Sequence, residues 1–414
     1  MKNLIKNLKL KRRAISALAA VHFYGNPSRD MKIVGVTGTN GKTTTTTLLY
    51  KVALSLGYKA GFIGTGGVHV NGKEFVMDRK IPTTPDPLGL SKIFREMKKE
   101  KVEYVFMEVS SHAMDQGRVS GINFTGGVFT NLTQDHLDYH KSFENYFEAK
   151  KKFFKILPQN AFALSNSDDD HGKLMLEGIK VDHYTYGFSG GESFHGEIFK
   201  LDFQGLEARF NSANIKSKLL GKFNAYNLLA VFGVCDLLKF DTEKVLKILE
   251  DVTPPVGRFE YFIHDGITVV VDYAHTPDAL EKVLLTAREI KGENGKLISV
   301  FGCGGDRDPL KRRIMGKIGA SLSDIAIFTS DNPRNEDPMK IIQEMKTDLS
   351  MNEIEKSKFI IDRKEAIVES VKLAEKGDIV VCAGKGHETY QEIRGVKHHF
   401  NDMEEYKKLL KSNE

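Results

Sequence analysis

The stretch "VTGTNGKTT" (Val36–Thr44) decides how the rest of the chain is read. It follows an apolar run, "KIVGV" (Lys32–Val36), and leads into a helical pattern that reaches about Leu56. A glycine-rich turn between a buried strand and a helix aims backbone N–H groups and the helix N-terminus at phosphate oxygens, and Lys42 adds a point charge. Thr43 would place a hydroxyl on a divalent cation. The spacing departs from the common G-x-x-x-x-G-K-[ST] pattern, because Val36 stands where the first glycine belongs. What remains is the shorter Gly38-Thr39-Asn40-Gly41-Lys42-Thr43. Lysine and threonine at the helix start outweigh the reading as a bare structural turn, so ATP or GTP binding is expected here. Thr44 to Thr47 are poor helix formers and read mainly as packing residues.

Outward from this loop, apolar strands alternate with amphipathic helices almost throughout, the pattern of parallel α/β sheets. "VEYVFMEV" and "GGVFTNL" read as further buried strands, and "FENYFEAKKKFFKIL" (Phe143–Leu157) as a helix. From about Val181 to Lys222 the pattern turns short, alternating and glycine-punctuated, as in a small antiparallel insert. Two helices follow, then "TPPVGRFE" (Thr253–Glu260), whose paired prolines and glycine mark a linker. Beyond it lie strands near "ITVVVDY", "KLISVFG", "DIAIFTS" and "GDIVVCAG". The expected architecture is a central mostly parallel sheet of ATP-loop type over residues 31–253, followed by a Rossmann-like α/β domain over 254–414.

Composition narrows the class. A chain of 414 residues with 41% hydrophobic and 28% charged residues is an ordinary globular protein of two or three domains. A net charge of +5 argues against a dedicated nucleic-acid binder. Cys235, Cys303 and Cys382 are scattered, which fits a reducing cytoplasm without disulfides. The basic start "MKNLIKNLKLKRRAISALAAVHFYG" superficially resembles a signal peptide, but His22 and Tyr24 interrupt its short apolar stretch, so an amphipathic helix is preferred. No run approaches the roughly 20 apolar residues of a membrane span.

Three places carry candidate chemistry. Glu108 ends a buried strand, where ligands of open α/β sheets gather, and its carboxylate suits Mg²⁺ or the water beside it. His136 in "TNLTQDHLDYH" is flanked by Asp135 and Asp138, which spacing alone leaves between a metal role and a surface role. "TSDNPRNEDP" (Thr329–Pro338) is a strand-end turn, yet a plain turn needs no arginine between acidic residues, so Arg334 asks for a partner.

These motifs converge. "GTNGKTT", "MEVSSHAMDQGRV", "TNLTQDHLDYH", "GRFE", "VDYAHTPDAL", "GCGGDRD", "DNPR" and "AGKGHE" occur in the order found in the Mur ligases. The chain resembles this family of ATP-dependent amide-forming enzymes of peptidoglycan precursor synthesis from about Phe23 onward. It is most similar to the branch that adds the third residue to UDP-N-acetylmuramoyl-L-Ala-D-Glu. The resemblance implies that Gly38, Thr39, Asn40, Gly41, Lys42, Thr43 and Thr44 bind ATP, with Asp272 and His275 approaching the nucleotide. It implies two Mg²⁺ ions, one on Thr43 and Glu108 and one at His136, and a CO₂-derived carbamate on Lys150. Read by itself, Lys150 opens a solvated lysine face. Thr83, Thr84, Ser110, Gln116 and Arg118 match muramoyl-dipeptide contacts. Arg307, Asp331, Asn332, Arg334, Gly384 and Glu388 match the amino-acid pocket, where an arginine fork gripping a distal carboxylate favours meso-diaminopimelate over L-lysine.

The resemblance also implies a complete N-terminal domain that holds uridine diphosphate, whereas 35 residues precede Val36. Residues 1–30 therefore read as a remnant of that domain and its linker. Three explanations stand side by side: weaker binding through Lys9, Lys11, Arg12 and Arg13, a partner protein that supplies the surface, or a lipid-linked or pseudomurein precursor. L-Lysine or another diamino acid also stays open as substrate, as does a folylpolyglutamate-type or cyanophycin-type ligase. A nucleotide-binding scaffold without catalysis is disfavoured by Lys42, Glu108, His136, Lys150 and Arg334 occurring together. A cytoplasmic monomer acting on small molecules is expected.

Overall fold

The alternation of buried runs with amphipathic segments builds two α/β units, which the computed structural model describes over residues 25–76, 82–202, 204–291 and 295–411. The basic cluster Lys9 to Arg13 lies outside the described residues. One unit runs to Lys200 and takes in Leu206–Leu219 and Phe223–Thr253; the other holds Leu201–Gly205, Leu220–Lys222 and Pro254 onward.

The first unit comprises β1 (Lys32–Thr37), α1 (Lys42–Ser55), β2 (Ala60–Gly64), β3 (Gly67–Val70), β4 (Lys73–Glu74), α2 (Pro87–Lys99), β5 (Tyr104–Glu108) and α3 (Ser111–Asp115). It continues with β6 (Phe124–Phe129), α4 (Leu137–His140), α5 (Phe143–Lys155), β7 (Phe162–Asn166), α6 (Gly172–Leu176), β8 (Asp182–Gly187), β9 (Phe194–Asp202), β10 (Gly205–Phe210), β11 (Ala213–Ser217), α7 (Lys222–Leu237) and α8 (Thr242–Asp251). Its sheet runs β11-β10-β9-β8-β7-β6-β1-β5-β2-β3-β4. The central pairs β2–β5, β5–β1, β1–β6, β6–β7 and β7–β8 are parallel, so the segments that follow β1, β5 and β6 emerge at one edge.

The expected antiparallel insert is only partly antiparallel. β8 continues the parallel sheet and pairs in parallel with β9 through Tyr186 and Phe194, whereas β10 and β11 form an antiparallel hairpin. Buried Tyr186 and Phe194 extend the apolar face, which favours prolonging the sheet over closing a separate one.

Helix α5 shows how local sequence positions the site. Ser142 caps it by accepting from the Asn145 amide at 3.2 Å. Tyr146, Ala149, Lys150, Phe153 and Phe154 are buried at i, i+3, i+4, i+7 and i+8, one face of a helix. Burying each phenylalanine contributes roughly 2 kcal/mol. Lys150 thus lies on the core face and is 1% exposed, which corrects the expectation of a solvated lysine face.

The second unit comprises β12 (Glu260–His264), β13 (Ile267–Asp272), α9 (Pro277–Ile290), β14 (Leu297–Phe301), α10 (Leu310–Leu322), β15 (Ile325–Phe328), α11 (Pro338–Lys346), α12 (Met351–Glu355), β16 (Ser357–Phe359), α13 (Arg363–Leu373), β17 (Ile379–Ala383), β18 (Tyr390–Ile393), β19 (Val396–His399) and α14 (Asp402–Lys411). The main sheet runs β12-β13-β17-β14-β15-β16, parallel except at β12, and β18–β19 is a separate hairpin. Loops after β13, β14, β15 and β17 therefore gather at one edge. Among the described residues no helix is long and apolar enough to cross a membrane. Cys235, Cys303 and Cys382 are free and buried.

Candidate active site

In the first unit the loop between β1 and α1 is held from below by the segment after β6. The Thr39 amide donates to the Asn131 carbonyl at 2.8 Å and the Asn40 amide to Asn131 Oδ1 at 2.9 Å. Thr130 Oγ1 and Asn131 Nδ2 donate to the Asn40 carbonyl at 2.6 and 3.1 Å. A Cβ on Gly38 would lie 1.8 Å from Thr130 Oγ1, so only glycine fits there. Gly41 starts α1 at φ 83°, a left-handed conformation that glycine adopts without strain. Thr44, Thr45 and Thr46 are buried, as packing residues should be.

Two ammonium groups converge on this loop. Lys42 Nζ donates to the carbonyls of Gly38 at 2.9 Å and Thr39 at 2.7 Å. Lys150 Nζ donates to the same Gly38 carbonyl at 2.6 Å and lies 4.5 Å from the Tyr146 ring centroid. Burial, reinforced by repulsion from Lys42 and opposed by Asp135, holds the Lys150 pKa well below the usual lysine range. The Tyr146 hydroxyl is 3.1 Å from Thr39 Oγ1, and burial raises its pKa.

Glu108 ends β5 fully buried, its carboxylate accepting from the Thr65 amide at 2.8 Å and the Thr65 hydroxyl at 3.2 Å. The muramoyl-dipeptide candidates form one network beside it. Thr84 Oγ1 donates to the Glu108 carbonyl at 2.9 Å and lies 3.3 Å from Ser110 Oγ, while Thr83 Oγ1 is 3.2 Å from Thr65 Oγ1. Arg118 donates to the Thr84 carbonyl at 2.7 Å and to Gln116 Oε1 at 2.7 and 3.0 Å.

His136 caps α4 at φ 55° with Nε2 3.4 Å from Asp135 Oδ2. The His136 side chain is 45% exposed, and partial desolvation lowers its pKa, with His112, Lys42 and Lys150 reinforcing the shift and Asp135 opposing it. The His112 ring is 4.8 Å from that of His136. In the sequence the one sign of His112 is its place in "SSH", four residues after Glu108. Among the described residues no three His, Cys, Asp or Glu side chains form a ready-made metal cage.

In the second unit the predicted residues share the sheet edge. Asp272 is buried and accepts from the Phe259 amide at 2.6 Å; burial raises its pKa to about 6 against the pull of Arg258 and two backbone amides. His275 Nδ1 is 2.9 Å from the Tyr273 carbonyl, and Lys311 Nζ donates to the His275 carbonyl at 2.8 Å. The glycine-rich loop after β14 packs against the turn after β15: the Gly305 amide donates to the Asn332 carbonyl at 2.9 Å. Arg307 on that loop is exposed.

Arg334 adopts φ 51°, donates from Nη1 to the Gly305 carbonyl at 2.7 Å and places Nε 3.5 Å from the Glu392 carboxylate. Its backbone bridges β18 through Arg334 N–H to Glu392 O at 3.0 Å and Arg394 N–H to Arg334 O at 2.7 Å. Glu388 accepts from Asn332 Nδ2 at 2.8 Å and from Lys385 Nζ at 3.2 Å. Lys385, fully buried, also donates to Asn332 Oδ1 at 3.3 Å and lies 3.9 Å from Asp331. Gly384 at φ 116° starts this loop, its amide donating to the Asp272 carbonyl at 3.0 Å. Lys385 was missed in the sequence, where it reads as one more lysine between glycines.

Residues 36–235 match the Mur ligase middle domain, and residues 257–386 match the Mur ligase glutamate ligase domain. The chain belongs to the Mur ligase family of peptide-bond-forming enzymes. It is 49% identical over 395 residues to the UDP-N-acetylmuramoyl-L-alanyl-D-glutamate–2,6-diaminopimelate ligase of Bacteroides thetaiotaomicron, covering 94% of this chain and 81% of that relative. The enzyme of the same name from Bacteroides fragilis is 49% identical over 396 residues, covering 95% and 80%. A solved structure of a UDP-N-acetylmuramoyl-L-alanyl-D-glutamate–2,6-diaminopimelate ligase superposes at TM-score 0.65 with 34% identity, over 92% of this chain and 79% of that one.

Proposed function

We propose that this chain joins meso-diaminopimelate to the γ-carboxylate of D-Glu in UDP-N-acetylmuramoyl-L-Ala-D-Glu at the expense of ATP. The observation that carries this reading is the 49% identity over 395 residues to ligases of that name. The acceptor carboxylate attacks the γ-phosphorus, ADP leaves, and an acyl phosphate forms. The neutral amine of the incoming amino acid then adds to the acyl carbon, the adduct loses a proton from nitrogen, and phosphate departs from the tetrahedral intermediate.

Gly38 to Thr44 cradle the triphosphate: the Thr39 and Asn40 amides fix the shape of the loop on Asn131, the amides at the head of α1 face the phosphates, and Lys42 swings from its loop carbonyls onto phosphate oxygens. Thr83, Thr84, Ser110, Gln116 and Arg118 orient the muramoyl-dipeptide, which supplies most of the advantage in a reaction without a protein nucleophile. Glu108 and the Thr43 hydroxyl present the hard oxygen donors that Mg²⁺ prefers, with His136 as donor to a second ion. Bound Mg²⁺ would neutralise the charge that builds between ATP and the acceptor carboxylate. The depressed pKa of buried Lys150 keeps a share of its amine uncharged, the form that adds CO₂ with loss of a proton to become a carbamate. That change would replace a cation with an anion beside the loop.

In the second unit the loops after β14, β15 and β17 take the amino acid. The Arg334 fork grips the distal carboxylate, assisted by Arg307, while Asp331, Asn332, Gly384 and Glu388 receive the distal ammonium end.

Purified protein with ATP and Mg²⁺ should release phosphate only when acceptor and diaminopimelate are both present. Release that depends on neither would remove the assignment. Replacing diaminopimelate by L-lysine, and the UDP-linked acceptor by the same muramoyl-dipeptide without UDP, fixes the two substrates separately.

A further inference from the structure

Arg363 opens α13 and Asp402 opens α14, and both side chains have 0% exposure. Arg363 donates from Nε to Asp402 Oδ1 at 2.8 Å and from Nη2 to Oδ2 at 2.7 Å, a two-pronged pair. The same guanidinium reaches upward to the sheet edge. Nη2 donates to the Ala383 carbonyl at 3.0 Å and lies 3.3 Å from Cys382 Sγ, and Nη1 donates to the Ser330 carbonyl at 3.4 Å. Ser330 immediately precedes Asp331, and Ala383 immediately precedes Gly384. One side chain therefore holds the roots of both loops that carry Asp331, Asn332 and Arg334 on one side and Gly384 and Glu388 on the other.

A buried ion pair is a poor device for stability alone, because removing two charges from water offsets most of their attraction, and well-packed apolar side chains often serve as well. Apolar side chains cannot, however, donate to carbonyls at two strand ends. Ala383 ends β17 and Ser330 lies two residues past the end of β15, the two strands that flank β14 in parallel. Arg363 thus spans the strand between them, fixing the distance from one loop to the other independently of the hydrogen bonds the loops make above.

We propose that Arg363 is a positioning residue for the amino-acid pocket, with Asp402 orienting its fork, so that α14 belongs to the specificity apparatus. This rests on the reading of the two loops as the diaminopimelate pocket. It predicts that loosening the fork shifts recognition of the amino acid selectively and leaves recognition of ATP in place.

The test compares Arg363→Met/Asp402→Leu, which removes both charges together, with Arg363→Lys, which keeps the charge without the planar fork, and with Arg334→Ala. For each, thermal unfolding, KM for ATP and KM for diaminopimelate are measured on the full chain. The double variant should fold, keep its ATP KM within about twofold and raise its diaminopimelate KM about tenfold through loss of two carbonyl bonds, with Arg363→Lys in between. If Arg334→Ala raises the diaminopimelate KM and neither Arg363 variant does, the positioning role is overturned and the pocket stands. If Arg334→Ala leaves it unchanged, the pocket reading falls and this proposal with it. Should the double variant fail to fold, Arg363→Lys decides: a selective rise supports the role, and an equal rise in both KM values overturns it.

Discussion

Lys150 Nζ donates to the Gly38 carbonyl at 2.6 Å, although 112 residues separate the two in the chain. A buried lysine touching a phosphate loop is costly unless its charge is removed or used, because burial penalises the ammonium form. Lys150→Ala should therefore lose about 10²-fold or more in turnover if the side chain stabilises charge at the reacting centre. Added bicarbonate should not restore it. With ¹³C-bicarbonate, the parent protein should show a carbamate carbon resonance that the variant lacks; the same resonance in both would remove the modification from Lys150.

Gly38→Ala should disable the loop for a steric reason. The added Cβ would sit 1.8 Å from Thr130 Oγ1 at a backbone φ of 151°. Strain of this kind costs about 1–3 kcal/mol and would push the loop off the Asn131 segment. Loss of nucleotide binding by calorimetry, together with a lower Tm, is the expected result; unaltered nucleotide affinity would refute it.

Arg334→Ala should raise the KM for diaminopimelate by about 10²-fold, the effect of losing a charge-assisted bidentate contact, and leave ATP affinity nearly unchanged. Arg334→Lys should recover little, because an ammonium cannot reproduce the fork. Equal losses for both substrates would show that the variant had damaged the unit in general.

The phosphate loop is legible in sequence because its chemistry is local: glycines, lysine and threonine lie within Gly38–Thr43, between a strand and a helix. Arg334 is half legible, since an arginine in an acidic turn asks for a partner while the sequence is silent about β18. Lys150 was hidden by the run Lys150 to Lys152, which reads as solvated when taken residue by residue. Its position four residues after Tyr146 and three before Phe153 was the signal, because that spacing sets it on the apolar stripe. Arg363 gives no such sign: "DRKEA" reads as an ordinary capped helix start, and its partners lie on β17, in the turn after β15 and at the start of α14. The parallel pairing of β8 with β9 escaped for a related reason, since alternation reports a half-buried strand but not the direction of its neighbour.

Acid stability offers a check that reads folding and not turnover. Arg312, 1% exposed, donates to Glu336 at 2.8 Å and to Glu344 at 2.8 Å. The Arg312 hydrogen bond holds the Glu336 carboxyl down at about 2, helped by the Asp306 amide and opposed by burial. Between its ordinary value of 4.5 and about 2, the unfolded chain binds a proton that the folded chain does not. This contribution is therefore complete above pH 4.5 and disappears as pH falls through that window. Glu336→Gln should lower Tm at neutral pH, with the gap to the parent closing on acidification; a gap independent of pH would count against the assignment.

The backbone bridge between Arg334 and the β18–β19 hairpin has a consequence for attempts to exchange amino-acid preference between relatives. The turn Thr329–Pro338 and the hairpin are stitched together by Glu392 O, the Arg394 amide and the Asn332 side chain, so neither is a self-contained cassette. A transplant of the turn alone would arrive without the scaffold that sets its arginine. The inheritable module is the pair, two segments more than fifty residues apart in the gene product that must be swapped as one.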